Sequence, residues 1–231
     1  MKKKIVVLTG AGISAESGIK TFRDADGLWE GHDVMEVASP QGFAKNPELV
    51  LDFYNQRRKQ LLSVLPNQAH QSLVTLEKYF DVSIITQNVD DLHERAGSSQ
   101  VLHIHGELLK VRCIHDENLI LDWKKDLVLG DLSDNGNQLR PHIVWFGEQV
   151  PLLDNAIKLT SKADILIIIG TSMQVYPAAG LIHEITSNIP IYFIDPKPSI
   201  AENDFRNIKI ITDSATHGVP TLVTSLLDTT T

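Results

Sequence analysis

The chain has 231 residues, of which 42% are hydrophobic, and 21 basic against 29 acidic residues give a formal net charge of -8. The chain is acidic, and no lysine or arginine block in it is typical of a nucleic-acid or membrane footprint, which argues against such partners. The length permits either one large domain or a main domain with an inserted lobe. The single cysteine, Cys113, excludes an internal disulfide and favours a cytoplasmic location.

Continuous apolar runs predict strands that are buried on both faces, at 4–10, 82–88, 163–172, 189–195 and 208–212. The first run is too short for an export signal. Helical patterns lie between several of these strands, at 66–80, 151–161, 176–187 and 218–228. This alternation predicts an α/β fold with a doubly wound, Rossmann-like parallel sheet that binds its ligand at the carboxyl ends of the strands.

Two stretches, 27–65 and 106–143, interrupt the alternation of strands and helices. The first looks helical with loops, and the second is polar, aromatic and irregular. We expect both to form a smaller lobe over the ligand edge of the sheet. The sheet domain then comprises 1–26, 66–105 and 144–231.

The segment VVLTGAGISAESGIKTFR predicts a strand, a glycine turn and the start of a helix. Gly10 and Gly12 would let the backbone approach a phosphate, and the helix amino terminus would offer N–H groups to it. Ala15 stands at the third small position of the dinucleotide pattern. On the glycines alone, a phosphate loop and a plain tight turn remain equally open interpretations.

The segment NPELVLDFYNQRRKQLLSVL predicts a helix with Val50, Tyr54, Arg57 and Leu61 on one face. Val50 and Leu61 indicate that this face is buried. An arginine within it must meet an anion or reach water with its tip.

Five motifs occur in the order and approximate spacing of the sirtuins, which are NAD-dependent protein deacylases: GAGISAESGIKTFRDADGLWE, TQNVDDLHERAG, HIHGELLKVRC, PHIVWFGE and GTSMQVYPAAG. The chain resembles this family from residue 5 to about 220. The resemblance implies NAD as the cofactor and acylated-lysine proteins or peptides as partners. In sirtuins the acyl-lysine oxygen attacks the ribose carbon that holds nicotinamide, and the acyl group ends on ADP-ribose.

By this resemblance, His105 of HIHGE is the catalytic histidine, which accepts a proton from the ribose hydroxyls. An ordinary histidine pKa of about 6.5 suits a base at neutral pH. A core histidine in a strand at 101–105 is the alternative for a histidine considered alone. His103 would lie on the same strand face, without an assigned role.

The resemblance assigns NAD contacts to the glycine loop, the segment behind it, the QNVD motif and later strand ends: Gly10, Ala11, Gly12, Ile13, Glu16, Thr21, Phe22, Arg23, Trp29, Gln87, Asn88, Val89, Asp90, Gly170, Thr171, Ser172, Asp195 and Ala215. Phe22 would screen the reactive ribose from water. One of Asp90 and Asp91 is expected to cap the helix LHERAG, and Asp90 to act on the ribose or the histidine. The chain departs from the family at 193–195, where an asparagine is usual.

Val144, Phe146 and Gly147 in VWFGE match the strand that pairs with the substrate peptide in sirtuins. Tyr54 and Arg57, together with Ala38, match the bacterial-type desuccinylase/demalonylase subgroup. In that subgroup the tyrosine and arginine bind the carboxylate of an acidic acyl group, and the small residue leaves room for it. We therefore expect a preference for succinyl and malonyl groups, with activity on acetyl groups as well.

Three alternatives remain open at this point. Arg57 could instead pair with Asp24, Asp26 or another acid. The fold could support an NAD glycohydrolase or an ADP-ribosyltransferase. A non-catalytic NAD sensor is a further alternative.

Most sirtuins hold a structural zinc ion with two cysteine pairs. Cys113 retains the first position, but Asp116 replaces its partner, and no cysteine lies between 114 and 143. A substitute site formed by Cys113, His115, Asp116 and a later acid is conceivable, although structural sites are rarely so acidic. We expect no structural zinc, and a monomer because no exposed apolar stripe stands out.

Overall fold

The computed structural model describes residues 2–20, 28–29, 31–186 and 188–229. The elements are, in chain order, β1 Lys4–Thr9, α1 Gly12–Ala15, β2 Leu28–Trp29, β3 His32–Asp33, α2 Val34–Val37, α3 Pro40–Lys45, α4 Pro47–Ser63, α5 Gln68–Glu77, β4 Asp81–Thr86, α6 Leu92–Ala96, β5 Val101–His103, β6 Gly106–Cys113, β7 Ile120–Asp122, β8 Leu139–Ile143, α7 Leu153–Thr160, β9 Ile165–Ile169, a 3-10 helix Ala178–Glu184, β10 Ile191–Ile194, a 3-10 turn Glu202–Asp204, β11 Ile208–Ile211 and α8 Ala215–Asp228. No described helix is long and apolar enough to cross a bilayer.

Six strands form a parallel sheet in the order β11-β10-β9-β1-β4-β5. The chain leaves β1 towards β4 and β5, and later returns to β9 on the other side of β1. The strand order therefore reverses between β1 and β9, and the carboxyl ends of these strands flank the crevice where such sheets bind ligands. The predicted α/β class with a doubly wound parallel sheet is confirmed.

Alternate residues of β1 pack on opposite faces of the sheet, as the period of two requires. Ile5 and Val7 join an apolar cluster with α5 and α8. Val6 and Leu8 join a second cluster with α7 and the 3-10 helix. Helices thus cover both faces, which explains why the strands read as continuous apolar runs.

The stretch 106–143 is more regular than the sequence suggested. Strands β7, β6 and β8 form an antiparallel sheet, in which the β6–β8 register shifts between Gly106 and Val111. Such an irregularity breaks the polar alternation that would have revealed the strands. This small sheet and helices α2–α4 occupy the two interrupting stretches, and we propose the same division into a sheet domain and an inserted lobe.

The side chain of Cys113 lies inside the small sheet's own apolar cluster and is only 1% exposed. It packs with Leu51, Val111, Leu127 and Leu139, and its Sγ accepts a 3.7 Å contact from the Ser133 hydroxyl. Within the described ranges, no group of three or more His, Cys, Asp or Glu side chains could hold a metal ion. A thiol that faces an apolar core does not fit the ligand set of a structural zinc site.

Three expected elements differ from the structure. The helix expected at 176–187 is a shorter 3-10 helix, and the strand expected at 101–105 ends at His103. The segment 144–148 is not a strand, because β8 ends at Ile143 and a turn follows, with a positive φ of 89° at Gly147.

Candidate active site

The glycine loop packs against the end of β9. Gly12 N–H donates to Gly170 O at 2.8 Å, and a Cβ on Gly12 would lie 2.5 Å from Gly170 Cα. A Cβ on Gly10 would lie 2.7 Å from Gly170 O, and Gly170 itself has a positive φ of 61°. These glycines are therefore required by backbone packing at the switch point, a role that the sequence pattern could not separate from phosphate binding.

The four-residue helix α1 begins directly behind this contact, with Ala11 at its N-cap position. Ile13 is fully buried in the sheet core. The Glu16 carboxylate accepts bonds from the Thr216 N–H at 2.9 Å and from its hydroxyl at 2.5 Å. Burial raises the pKa of Glu16, but these bonds outweigh it and the pKa is lowered overall. The loop is thereby joined to the start of α8, where Ala215 lies buried.

A buried polar cluster connects α1 with the QNVD motif. The Ser14 hydroxyl donates to Asp90 Oδ2 at 2.9 Å and accepts from Asn88 Nδ2 at 3.2 Å. Asp90 Oδ1 also accepts from the Leu92 N–H at 3.1 Å. Burial raises the pKa of Asp90 to about 6. This carboxyl group can therefore exchange a proton close to neutral pH.

Of the two aspartates, one of which was expected to cap α6, it is Asp90 that makes a side-chain bond to the start of the helix. Asp91 occupies the N-cap position of α6 but makes no side-chain capping bond, and it lies 3.5 Å from Arg95 instead. Asp90 makes the capping bond to Leu92 as well as the bond to Ser14. A capping role and a place in the polar cluster thus fall on one residue.

His105 follows β5 and points its ring at the end of β4. Its Nδ1 lies 3.1 Å from Gln87 O, which can only accept. The proton must therefore sit on Nδ1, which leaves Nε2 as the basic atom. Burial lowers the pKa of His105, and the bond to Gln87 counteracts only part of this effect. The ring is therefore neutral at neutral pH and able to accept a proton.

His103 has a different environment. Its Nδ1 lies 3.0 Å from Asn88 O, and its Nε2 lies 2.7 Å from Glu94 Oε1. Burial lowers the pKa of His103, but the bond to Glu94 and its charge raise it overall. Both ring nitrogens donate, so this histidine is a structural link between β5 and α6.

Further polar groups lie at the ends of β4, β9 and β10. Gln87 Nε2 donates to Thr171 Oγ1 at 3.1 Å, which joins two strand ends across the switch point. The adjacent Ser172 carbonyl accepts from the Ser199 hydroxyl at 2.6 Å. Asp195 is 2% exposed, and its Oδ1 accepts from the Lys197 N–H at 2.8 Å.

Three residues assigned to NAD by resemblance, Thr21, Phe22 and Arg23, lie outside the described residues. So do Asp24 and Asp26, the acids considered as partners of Arg57. Trp29 is described, and its ring meets Phe53 and Tyr54 edge-on at centroid distances of 4.9 and 6.1 Å. Its position is therefore beside α4.

The predicted stripe of α4 is present. Val50, Tyr54 and Leu61 are buried, and Arg57 is partly exposed. The Arg57 guanidinium lies 4.0 Å above the Phe53 ring, and its Nη1 donates to Phe53 O at 3.3 Å. Side chains of Arg57 and Asp90 are among those lining one small cavity of about 60 Å³: Ile19, Lys20, Trp29, Arg57, Gln60, Leu61, Val89, Asp90 and Leu108. This cavity is the candidate acyl pocket, and through Asp90 it adjoins the QNVD motif.

The neighbouring Arg58 was missed by the sequence analysis. It is 1% exposed, and it donates to Leu108 O at 3.2 Å and to Asn55 Oδ1 at 2.7 Å. Asn55 in turn exchanges two bonds with the backbone of Leu127. A signal was available, because Leu51, Asn55 and Arg58 form a second helical stripe. This stripe attaches α4 to the inserted lobe.

The VWFGE segment touches both the histidine and the acyl-pocket candidate. Val144 N–H donates to His105 O, and Phe146 N–H donates to Ala38 O, each at 2.9 Å. The Trp145 indole N–H donates to the Tyr54 hydroxyl at 2.9 Å. These bonds bring together groups that lie up to 108 positions apart in the sequence, as Ala38 and Phe146 do.

The fold and the site together define a nucleotide-binding α/β enzyme. The family model described as "Sir2 family" matches residues 10–177. A Helicobacter pylori NAD-dependent protein deacylase is 62% identical over 98% of each chain. A Bacteroides thetaiotaomicron NAD-dependent protein deacylase is 52% identical over 95% of this chain and 96% of its own.

Solved structures agree with these sequence relatives. A Sir2 homolog–NAD complex superposes with a TM-score of 0.86 at 38% identity, covering 100% of this chain and 91% of the other. A Sir2 protein bound to acetylated peptide gives a TM-score of 0.78 at 28% identity, covering 99% and 94%. The chain belongs to the Sir2 family. Its enzyme class is that of the NAD-dependent protein deacylases.

Proposed function

We propose that this enzyme removes succinyl and malonyl groups from protein lysines in preference to acetyl groups, which it also removes. The observation that carries this proposal is the pair Tyr54 and Arg57 on one face of α4. Arg57 lines the small cavity together with Asp90, and Tyr54 lies buried one helical turn before it. A planar guanidinium and a phenol on one face suit a carboxylate, which accepts from both. Ala38 supports the proposal by resemblance, because a small residue at this position in the subgroup leaves room for a longer acyl chain.

The electrostatics of α4 favour an anion at this position. Arg58 donates hydrogen bonds to Leu108 O and Asn55 Oδ1, and these bonds attach α4 to the inserted lobe. Arg57 instead lies partly exposed at the cavity and touches the Phe53 ring with its guanidinium face. A guanidinium stacked on a ring directs its N–H groups sideways, in its own plane, which is the direction from which a carboxylate is bound. This geometry supports Arg57 as the acyl-carboxylate ligand.

We assign NAD binding to the glycine loop, to Gln87, Asn88 and Asp90, and to the ends of β9 and β10. The donors and acceptors there suit a nicotinamide nucleotide, since amides and carboxylates read carboxamide and hydroxyl groups. Bound NAD supplies the ribose carbon to which the acyl oxygen is transferred, with nicotinamide as leaving group. The relative solved as an NAD complex supports this assignment.

His105 would act as the general base of the reaction. Its Nε2 is basic because Nδ1 donates to Gln87 O, and the lowered pKa keeps it unprotonated at neutral pH. A base held in one tautomer by a backbone carbonyl is ready to accept a hydroxyl proton. The substrate peptide would lie along Val144, Phe146 and Gly147, a segment that the Val144 N–H bond to the His105 backbone carbonyl holds next to the base.

Release of nicotinamide tests this function and separates it from NAD glycohydrolysis or ADP-ribosyl transfer. NAD is supplied with an unmodified peptide, with its acetyl-lysine form and with its succinyl-lysine form. We expect nicotinamide only with acyl-peptides, in amounts equal to deacylated peptide, and faster with succinyl. Release without acyl-peptide would favour a glycohydrolase, and His105→Ala serves as the inactive control.

We also propose that the inserted lobe folds without a structural metal. The support is the apolar surroundings of Cys113 and the bonds that Arg58 and Asn55 make to the lobe backbone. These contacts would hold the lobe together in place of a metal site.

A further inference from the structure

The Tyr54 hydroxyl can both accept and donate a hydrogen bond, and among the described residues the structure shows a partner only for its role as acceptor. Tyr54 is 0% exposed and Trp145 is 2% exposed, and the indole N–H donates to the phenol oxygen at 2.9 Å. An indole nitrogen can only donate. The phenol oxygen is therefore the acceptor in this bond, and its own proton must point elsewhere.

The proton of this hydroxyl has no acceptor among the residues that the structure describes. Burial raises the pKa of Tyr54, so the group stays protonated at any ordinary pH. A buried donor without an acceptor destabilises the folded state, and such groups in native proteins are usually explained by a ligand or an ordered water. The hydroxyl is thus a donor without an acceptor in the described part of the chain. It lies on the face of α4 that also carries Arg57, which follows Tyr54 by about one helical turn.

Trp145 is itself positioned by Arg140, which lies in β8 of the small sheet, and by Glu148. Its backbone N–H donates to Glu148 Oε2 at 2.8 Å, and the Arg140 guanidinium lies 3.3 Å from the indole centre. Glu148 accepts further bonds from Arg112 and Arg140 at 2.6–3.1 Å. With its backbone bonded to Glu148 and its ring against Arg140, Trp145 has a fixed indole N–H direction, and this bond sets the rotation of the phenol O–H.

We propose that Trp145 is a positioning residue for acyl selectivity, which holds the Tyr54 hydroxyl as a donor towards the carboxylate of an acidic acyl group. This inference rests on the proposed function. Trp145 lies between Val144 and Phe146, so the segment that would bind the peptide also orients the acyl donor. Docking of the peptide and recognition of its acyl group are therefore coupled through one side chain.

The test is Trp145→Phe, which keeps an aromatic ring and removes only the N–H group. We expect kcat/KM for a succinyl-lysine peptide to fall about three- to tenfold, mainly through KM, as for the loss of one hydrogen bond. The value for the acetyl-lysine peptide should change less than about twofold, because that acyl group has no carboxylate. The matched control is Trp123→Phe, which removes an indole bond to Asp126 O in the lobe and should alter neither value.

A double-mutant cycle with Tyr54→Phe decides whether Trp145 acts through the hydroxyl. The proposal requires that Tyr54→Phe alone lowers the succinyl value selectively, and that Trp145→Phe adds nothing further in that background. Additive losses, or equal losses on both peptides, would overturn the proposal in favour of a packing role. Should Trp145→Phe fail to fold, an unchanged succinyl-to-acetyl ratio in Tyr54→Phe overturns it as well.

The same measurements separate this inference from the proposed function. A wild-type enzyme without succinyl preference, and an Arg57→Met variant that loses both activities equally, would end both proposals. A clear wild-type preference that depends on Arg57 but survives Trp145→Phe would overturn the role of Trp145 alone.

Discussion

Replacement of Arg57 by methionine removes the guanidinium from the cavity and keeps an unbranched side chain over the Phe53 ring. A charge-assisted hydrogen bond to a carboxylate contributes about 1.5–3 kcal/mol when desolvated. Arg57 is only partly buried, so solvent screening favours the lower half of this range. We therefore expect kcat/KM for a succinyl-lysine peptide to fall about ten- to fortyfold.

The acetyl-lysine peptide is the internal reference for this variant. It places no charge beside Arg57, so its kcat/KM should stay within about a factor of two. Lys59→Met is the matched control, because it removes the same charge from α4 at a residue whose Nζ pairs with Asp126 at 2.9 Å on the surface. This control should leave both substrates unaffected. Equal losses on the two peptides in Arg57→Met would refute the assignment of Arg57 to the acyl carboxylate.

Two other predictions follow from His105 and from the lobe. Since burial lowers the pKa of His105 and the base must be neutral, kcat should rise with pH and level off below the ordinary histidine value of about 6.5. An acid limb centred above that value in a pH–rate profile would contradict this role. The purified enzyme should contain far less than one zinc ion per chain, and a strong chelator should leave its Tm unchanged, because Cys113 is packed in an apolar core. Stoichiometric zinc, or a large loss of Tm on chelation, would disprove a metal-free lobe.

The sheet could be predicted from the sequence because its signals are local. The apolar runs of β1 and β9, followed by glycines, indicated buried parallel strands and the ligand edge. The face of α4 was equally readable from the spacing of Val50, Tyr54 and Leu61, which are buried as expected. Each of these inferences needed only the period of one element.

The features that escaped prediction depend on distant partners. The bond between Tyr54 and Trp145 joins residues 91 positions apart, and no periodicity signals it. The antiparallel sheet was hidden by the register shift near Gly106 and by a partner strand of only three residues. The burial of Arg58 next to a partly exposed Arg57 depends on how the lobe folds over α4.

The measurement that tests the central claim most directly is kcat/KM of the unaltered enzyme on one peptide that carries either succinyl- or acetyl-lysine, at saturating NAD. We predict a clear preference for succinyl, which would place the acyl carboxylate beside Tyr54 and Arg57. Equal rates, or a preference for acetyl, would mean that Arg57 is engaged within the protein and that α4 does not select acidic acyl groups.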